Sequence, residues 1–175
     1  KQDCSPAESA AIMEEVRALE DLLRQLKAQA IQRQRMLEEA RRLQRFQKET
    51  RDLLLWGEAT KEHLLEDDTG SDVASAQALL KEHLDLKQEI ELQRAKLKDM
   101  EKLGQSLASG DKGAKDVHQT LSKLDNEWSQ LDKLWSGRNR RLEQALEFQK
   151  LNMEADRIEA TISGHEARLK VKDLG

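Results

Sequence analysis

The side chains that could carry chemistry are few, and their spacing does not suit it. The chain of 175 residues holds one cysteine, Cys4, and four histidines. His83 has no second His or Cys three or four places away, so a helical metal site is not expected there. The acidic turn Asp67-Asp68-Thr69-Gly70-Ser71-Asp72 offers carboxylates, but the glycine and distal glutamate of a calcium loop are out of place. Gly110-Asp111-Lys112-Gly113 is not part of a phosphate-cradling G-x4-G-K-[ST] string, and no Gly-x-Ser-x-Gly or set of converging carboxylates occurs. We therefore expect no catalytic, cofactor-binding or metal-binding residues, and no enzyme.

The remaining distinctive residues read as packing or charge. Trp56, His83, Trp128, Leu131 and Trp135 fall on helical stripes. Indole rings at such spacing anchor cores rather than line ligand pockets, and His83 is expected to be a hydrogen-bonded core histidine. Arg33, Arg35, Arg41, Arg42, Arg45 and Arg51 form a basic group interrupted by Glu38, Glu39 and Glu49. It reads first as a solvated helix face, and second as an interaction surface for an acidic partner or acidic lipid headgroups. Cys4 is expected to be a spectator thiol, in keeping with a reducing compartment.

Composition sets what must hold these residues. Charged residues make up 37%, aromatics 3%, with one proline and no tyrosine. Strands want the β-branched and aromatic residues that are scarce here, whereas Leu, Ala, Glu, Gln, Lys and Arg favour helices. Thirty basic against 34 acidic residues leave a formal charge of −4, so no basic field gathers nucleic acid. Neither a signal peptide nor a membrane span is expected.

Apolar residues recur in steps of three and four. The first stripe is Ile12, Val16, Leu19, Leu23, Leu26, Ala30, Leu37 and Ala40; Phe46, Leu53, Trp56, Thr60 and Leu64 follow in looser register. Leu79, His83, Leu86, Ile90, Gln93, Leu97, Met100, Gly104 and Leu107 form the middle stripe. Val117, Leu121, Leu124, Trp128, Leu131 and Trp135 come next, then Leu151, Ala155, Ile158, Ile162, His165 and Leu169. Two turn clusters, 67–72 and Ser109-Gly110-Asp111-Lys112-Gly113, punctuate them. Ser5 and Pro6 look like an N-cap and first helical position.

A shift of 105 positions lays Arg33-Gln34-Arg35-Met36-Leu37-Glu38-Glu39-Ala40 on Arg138-Asn139-Arg140-Arg141-Leu142-Glu143-Gln144-Ala145. Leu19 then falls on Leu124, Leu23 on Trp128 and Leu26 on Leu131. The chain thus holds just under two copies of a three-helix period. A helix over 9–40 should run unbroken into one over 41–66, followed by helices over 72–107 and 114–145, the last continuing to about 170 past Gly137 and Gly164, which weaken it locally. Folding up, down and up, 41–145 should make one left-handed antiparallel three-helix bundle. The two turns argue against a long parallel coiled-coil dimer.

Phe46 and Trp56, then Leu79-Leu80-Lys81-Glu82-His83, then Leu124-Asp125-Asn126-Glu127-Trp128 and Arg138-Asn139-Arg140-Arg141-Leu142-Glu143 together resemble the spectrin repeat. The resemblance implies an all-α fold in which 1–40 is the third helix of a preceding repeat, 41–145 a complete repeat and 146–175 the first helix of a following one, with continuous helices between units. It implies a structural rod segment of a cytoskeletal protein, acting as spacer, elastic element and scaffold, in the cytoplasm at the membrane-associated cortex. Implied partners are other spectrin-family chains and, as an alternative role, an adaptor such as ankyrin, actin-linked proteins or, peripherally, acidic lipids. The apolar stripes of 7–40 and 146–172 lack bundle partners, so self-association through them is a further expectation.

Overall fold

The computed structural model describes residues 5–108, 113–173 and 175. Cys4 and the Ser109–Lys112 part of the second turn lie outside the described residues. Those described form three α-helices: α1, Pro6–Leu64; α2, Val73–Ala108; and α3, Ala114–Asp173. The chain divides into two units, Lys1–Gln47 and Lys48–Gly175.

In the first unit α1 starts on a reciprocal cap. Ser5 Oγ accepts the Glu8 N–H at 3.3 Å, and Glu8 Oε2 accepts the Ser5 N–H at 2.9 Å. Pro6 follows at the first helical position, where its missing N–H costs nothing. From here to Gln47 the apolar side chains Ile12, Val16, Leu19, Leu23, Leu26 and Leu37 are all exposed; Leu43 is half-buried and Phe46 buried.

The second unit holds the rest of α1 with α2 and α3. On α1 the buried positions are Thr50, Leu53, Gly57, Thr60 and Leu64, steps of three, four, three and four. The register that looked loose is therefore regular. Thr50 and Gly57 complete it, and neither is a residue that hydrophobic counting finds. Thr60 enters the seam at little cost because its hydroxyl donates to the Trp56 carbonyl of its own helix at 2.8 Å.

α2 buries Ala76, His83, Ile90, Leu97, Met100 and Gly104. Its start is fixed by Asp72, whose Oδ1 accepts the Ser75 N–H at 2.7 Å, while Ser75 Oγ takes the Ser71 and Asp72 N–H groups at 3.1 Å. These bonds hold the Asp72 carboxyl below its usual 3.8. Before the cap, Gly70 turns the chain at φ +85°, with its N–H on Asp68 Oδ1 at 3.0 Å. α3 opens after Gly113, φ +89°, whose carbonyl accepts the first helical bond from Val117. It buries Val117, Leu124, Trp128, Leu131, Arg138 and Leu142, and runs through Gly137 and Gly164 without interruption.

α1 ends at Leu64, two residues before the expected 66. The Leu65 N–H is shared between the Lys61 and Glu62 carbonyls, and the Glu66 N–H bonds back to His63, so the last turn tightens and stops.

Candidate functional site

The second unit carries polar clamps across an apolar seam. At its centre Trp56 of α1 stacks on Trp128 of α3, ring centroids 6.0 Å apart and planes 28° to each other. Trp128 is buried and Trp56 half-buried; the indoles cover one another. Leu131, fully buried, lies one turn on from Trp128, against Gly57. Beside the Trp pair, Lys61 of α1 and Glu127 of α3 form a largely shielded ion pair.

His83 and Trp135 join α2 to α3 three times over. Their rings stack at 4.8 Å and 11°. His83 Nε2–H donates to the Trp135 carbonyl at 3.0 Å, and Trp135 Nε1–H donates to the His83 carbonyl at 3.1 Å. Both carbonyls already serve their own helices, so each accepts a second bond. Burial pushes His83 below its usual 6.5; the Trp135 carbonyl pulls the other way, and the charge of Arg138 and the His63 ring add to the depression. The imidazole is thus neutral at physiological pH.

One turn away, Lys87 Nζ sits 4.9 Å above the Trp135 ring centroid and 3.5 Å from Asp132. Arg94 grips the same carboxylate with bonds of 2.8 and 2.6 Å. Such a pair fixes register more than it adds stability, since all three groups are partly solvated.

Arg138 is the feature that the periodicity hides. Its side chain is 4% exposed, on the seam of α3 where an apolar residue is expected. Nη1 donates to the His63 carbonyl in the last turn of α1, and Nη2 lies 3.6 Å from Glu66 Oε2. A cation at a helix C-terminus meets the negative end of the helix dipole and an orphan carbonyl together. Glu66, bonded to His63 and facing the charge of Arg138, is held below its usual 4.5.

Arg33, Arg35, Arg41, Arg42, Arg45 and Arg51 are all exposed. A shallow groove of about 260 Å³ between α2 and α3 mixes Arg94 and Lys98 with Glu101, Asp125 and Asp132; Arg94 is tied to Asp132, and the open groove does not enclose a small molecule. Among the described residues no group of three His, Cys, Asp or Glu is placed to hold a metal ion, and no helix is long and apolar enough to cross a membrane.

The family model named Spectrin repeat matches residues 41–144, more than half of the chain. This chain belongs to the spectrin repeat family. The family is structural and non-enzymatic, and its three-helix bundle is the fold of the stretch built from α1, α2 and α3. The repeat is similar to the human spectrin beta chain, non-erythrocytic 5, with 38% identity over 128 residues, 73% of this chain and 4% of the relative. It is 30% identical over 155 residues to a Drosophila melanogaster spectrin beta chain, covering 88% of this chain and 7% of that one. The mouse erythrocytic spectrin beta chain is 29% identical over 135 residues, 76% of this chain and 6% of its own length. The chain thus spans less than a tenth of the length of these relatives.

The sequence pointed to the Trp, His and Leu positions and to the exposed arginines. It did not disclose Arg138 as a buried clamp, the Arg94–Asp132 pair or the Lys61–Glu127 pair. Arg138 left one signal: it stands three residues after Trp135 and four before Leu142, on the stripe itself.

Proposed function

We propose that this chain is a rod segment of a spectrin β-like cytoskeletal protein, serving as spacer, elastic element and scaffold. The observation that carries the reading is continuity: α1 passes through residue 41 and α3 through residue 144, the ends of the matched repeat, with no break in either helix. In this reading 1–40 is the third helix of a preceding repeat, 41–145 a complete repeat and 146–175 the first helix of the next. An alignment of 155 residues to a β-spectrin, extending beyond the matched repeat, supports that division. A shared helix lets bend and tension in one repeat reach its neighbour, and stability then spreads by nearest-neighbour coupling.

The apolar residues Leu19, Leu23 and Leu26 of α1 and Leu151, Ile158 and Ile162 of α3 are exposed; neighbouring repeats or other spectrin-family chains are the partners that cover them. The site of action is the cytoplasmic cytoskeleton beneath the membrane. Placing proline at Arg42 removes a helical N–H and costs about 3 kcal/mol or more. The expected result, read by circular dichroism on heating, is a lower midpoint for the repeat and a split transition, while Arg17→Pro leaves the repeat's midpoint in place. Identical melting of R42P and the unaltered chain overturns the reading.

A further inference from the structure

Two buried groups able to carry positive charge are linked through Trp135 toward one end of the bundle. His83 is 3% exposed and Arg138 is 4% exposed. Trp135 connects them: His83 stacks on its ring and bonds its carbonyl, and Arg138 follows three residues on, one turn further along the same helix. The charged and titratable groups around His83 are Arg138 and Asp132 from α3, His63 from α1, and Lys87 one turn along its own helix. Asp132 is taken by Arg94 and Lys87, so it is not open to His83. Glu66, the carboxylate that meets Arg138, is 55% exposed. Among the described residues Arg138 Nε finds no partner.

We propose that His83 and Arg138 form a proton-operated latch: while His83 is neutral, Arg138 fastens the end of α1 and the following loop to α3, and a proton that His83 takes from solvent releases that fastening. The proton adds to Nδ1, and Nε2–H keeps its bond to the Trp135 carbonyl. Two cations then share one buried corner, faced by a single half-solvated carboxylate, an arrangement that a low-dielectric interior penalises strongly. Of the two, His83 is pinned by Trp135 on both its ring and its backbone. Arg138 is the group that leaves, because its contacts are one backbone carbonyl and an exposed glutamate.

Its departure reaches the passage out of the repeat. The loop has a second attachment, Gln149 Nε2 donating to the Gly70 carbonyl at 3.5 Å, at the limit of a hydrogen bond. Gln149 stands eleven residues after Arg138, three turns along the same face of α3 and just past the matched repeat. With Arg138 gone, this long bond cannot hold the loop alone. The consequence for a rod rests on the proposed function; the latch itself does not. It makes acidification a means of loosening the junction between successive repeats.

The sign is fixed by linkage. The closed latch lowers the proton affinity of His83, so a proton opposes the closed latch. Stability from this corner is complete above the usual 6.5 and is lost as pH falls through the lower value of the folded protein.

The test is an NMR titration of the whole 175-residue chain from about pH 7.5 to about 5. The expected result is a His83 ring midpoint below 6.5, shared by the Gly70 backbone amide and the Gln149 side-chain amide. Arg138→Gln should raise that midpoint by about half a unit or more, by removing the neighbouring charge. Because R138Q also uncaps α1, Arg138→Lys, which keeps the charge, serves as the control and should leave the midpoint below 6.5. His83→Gln, which keeps a donor for the Trp135 carbonyl, should abolish the pH response of Gly70. A merely structural Arg138 predicts that R138Q leaves the His83 midpoint in place or that R138Q and R138K move it alike; that result, or a Gly70 amide that responds to pH in H83Q as in the unaltered chain, overturns the proposal. Failure of R42P to uncouple repeats bears on the rod reading and leaves this one standing.

Discussion

Leu131 Cδ1 lies 3.7 Å from the point where a Cβ on Gly57 would stand. Glycine is thus not needed there for space, and its backbone freedom in the middle of α1 costs about 0.5–1 kcal/mol relative to alanine. Gly57→Ala should stabilise the repeat by about that amount, as a higher urea midpoint with an unchanged slope. Gly57→Leu should do the opposite, by about 1–3 kcal/mol, because its branches must displace Leu131.

Gly70 and Gly113 share a left-handed backbone and differ in surroundings. A Cβ on Gly70 would come within 2.5 Å of the Ala76 nitrogen, whereas one on Gly113 meets nothing within 4 Å among the described residues. Gly113→Ala should therefore cost only the strain of its φ, about 1–2 kcal/mol. Gly70→Ala should cost more, since the same strain is joined by a collision with backbone at the first turn of α2. Chemical denaturation of the two variants should rank them in that order; equal losses would show that the Gly70 turn relaxes freely.

Truncations should divide sharply along α3. Leu131 is fully buried and Leu151 is 69% exposed. Leu131→Ala should lose about 2–5 kcal/mol and Trp128→Ala about 3–5 kcal/mol, whereas Leu151→Ala in this chain should stay within about 0.5 kcal/mol. Thermal melts of the three variants would check this, and a large loss at Leu151 would mean that its side chain is covered in solution.

Much of the fold was legible because the bundle is written in one repeated signal. The α2 stripe named in the sequence holds His83, Ile90, Leu97, Met100 and Gly104, all buried, and the Ser5–Pro6 start carries its reciprocal cap. Legibility failed where a seam position is filled by something other than a hydrophobe. Thr50 and Gly57 make the α1 register look irregular, since neither a threonine nor a bare Cα on the seam leaves a hydropathic trace. Arg138 enters the sequence reading only within the arginine-rich passage Arg138–Glu143 that repeats Arg33–Glu38, and the charge of that passage gives no sign that one of its arginines is buried. The Arg94–Asp132 and Lys61–Glu127 pairs join residues far apart in the chain, and nothing local in either partner announces the other.

Arg138 also answers a question that every coiled assembly faces, which of several equivalent alignments to adopt. Sliding α3 by seven residues past its neighbours would trade greasy contacts for others of much the same quality. It would also strand a guanidinium in the interior, away from the one carbonyl at the tip of α1 that receives it. A single misfit cation thus proofreads the pairing, rejecting the near-miss alignments that the apolar surface alone would tolerate.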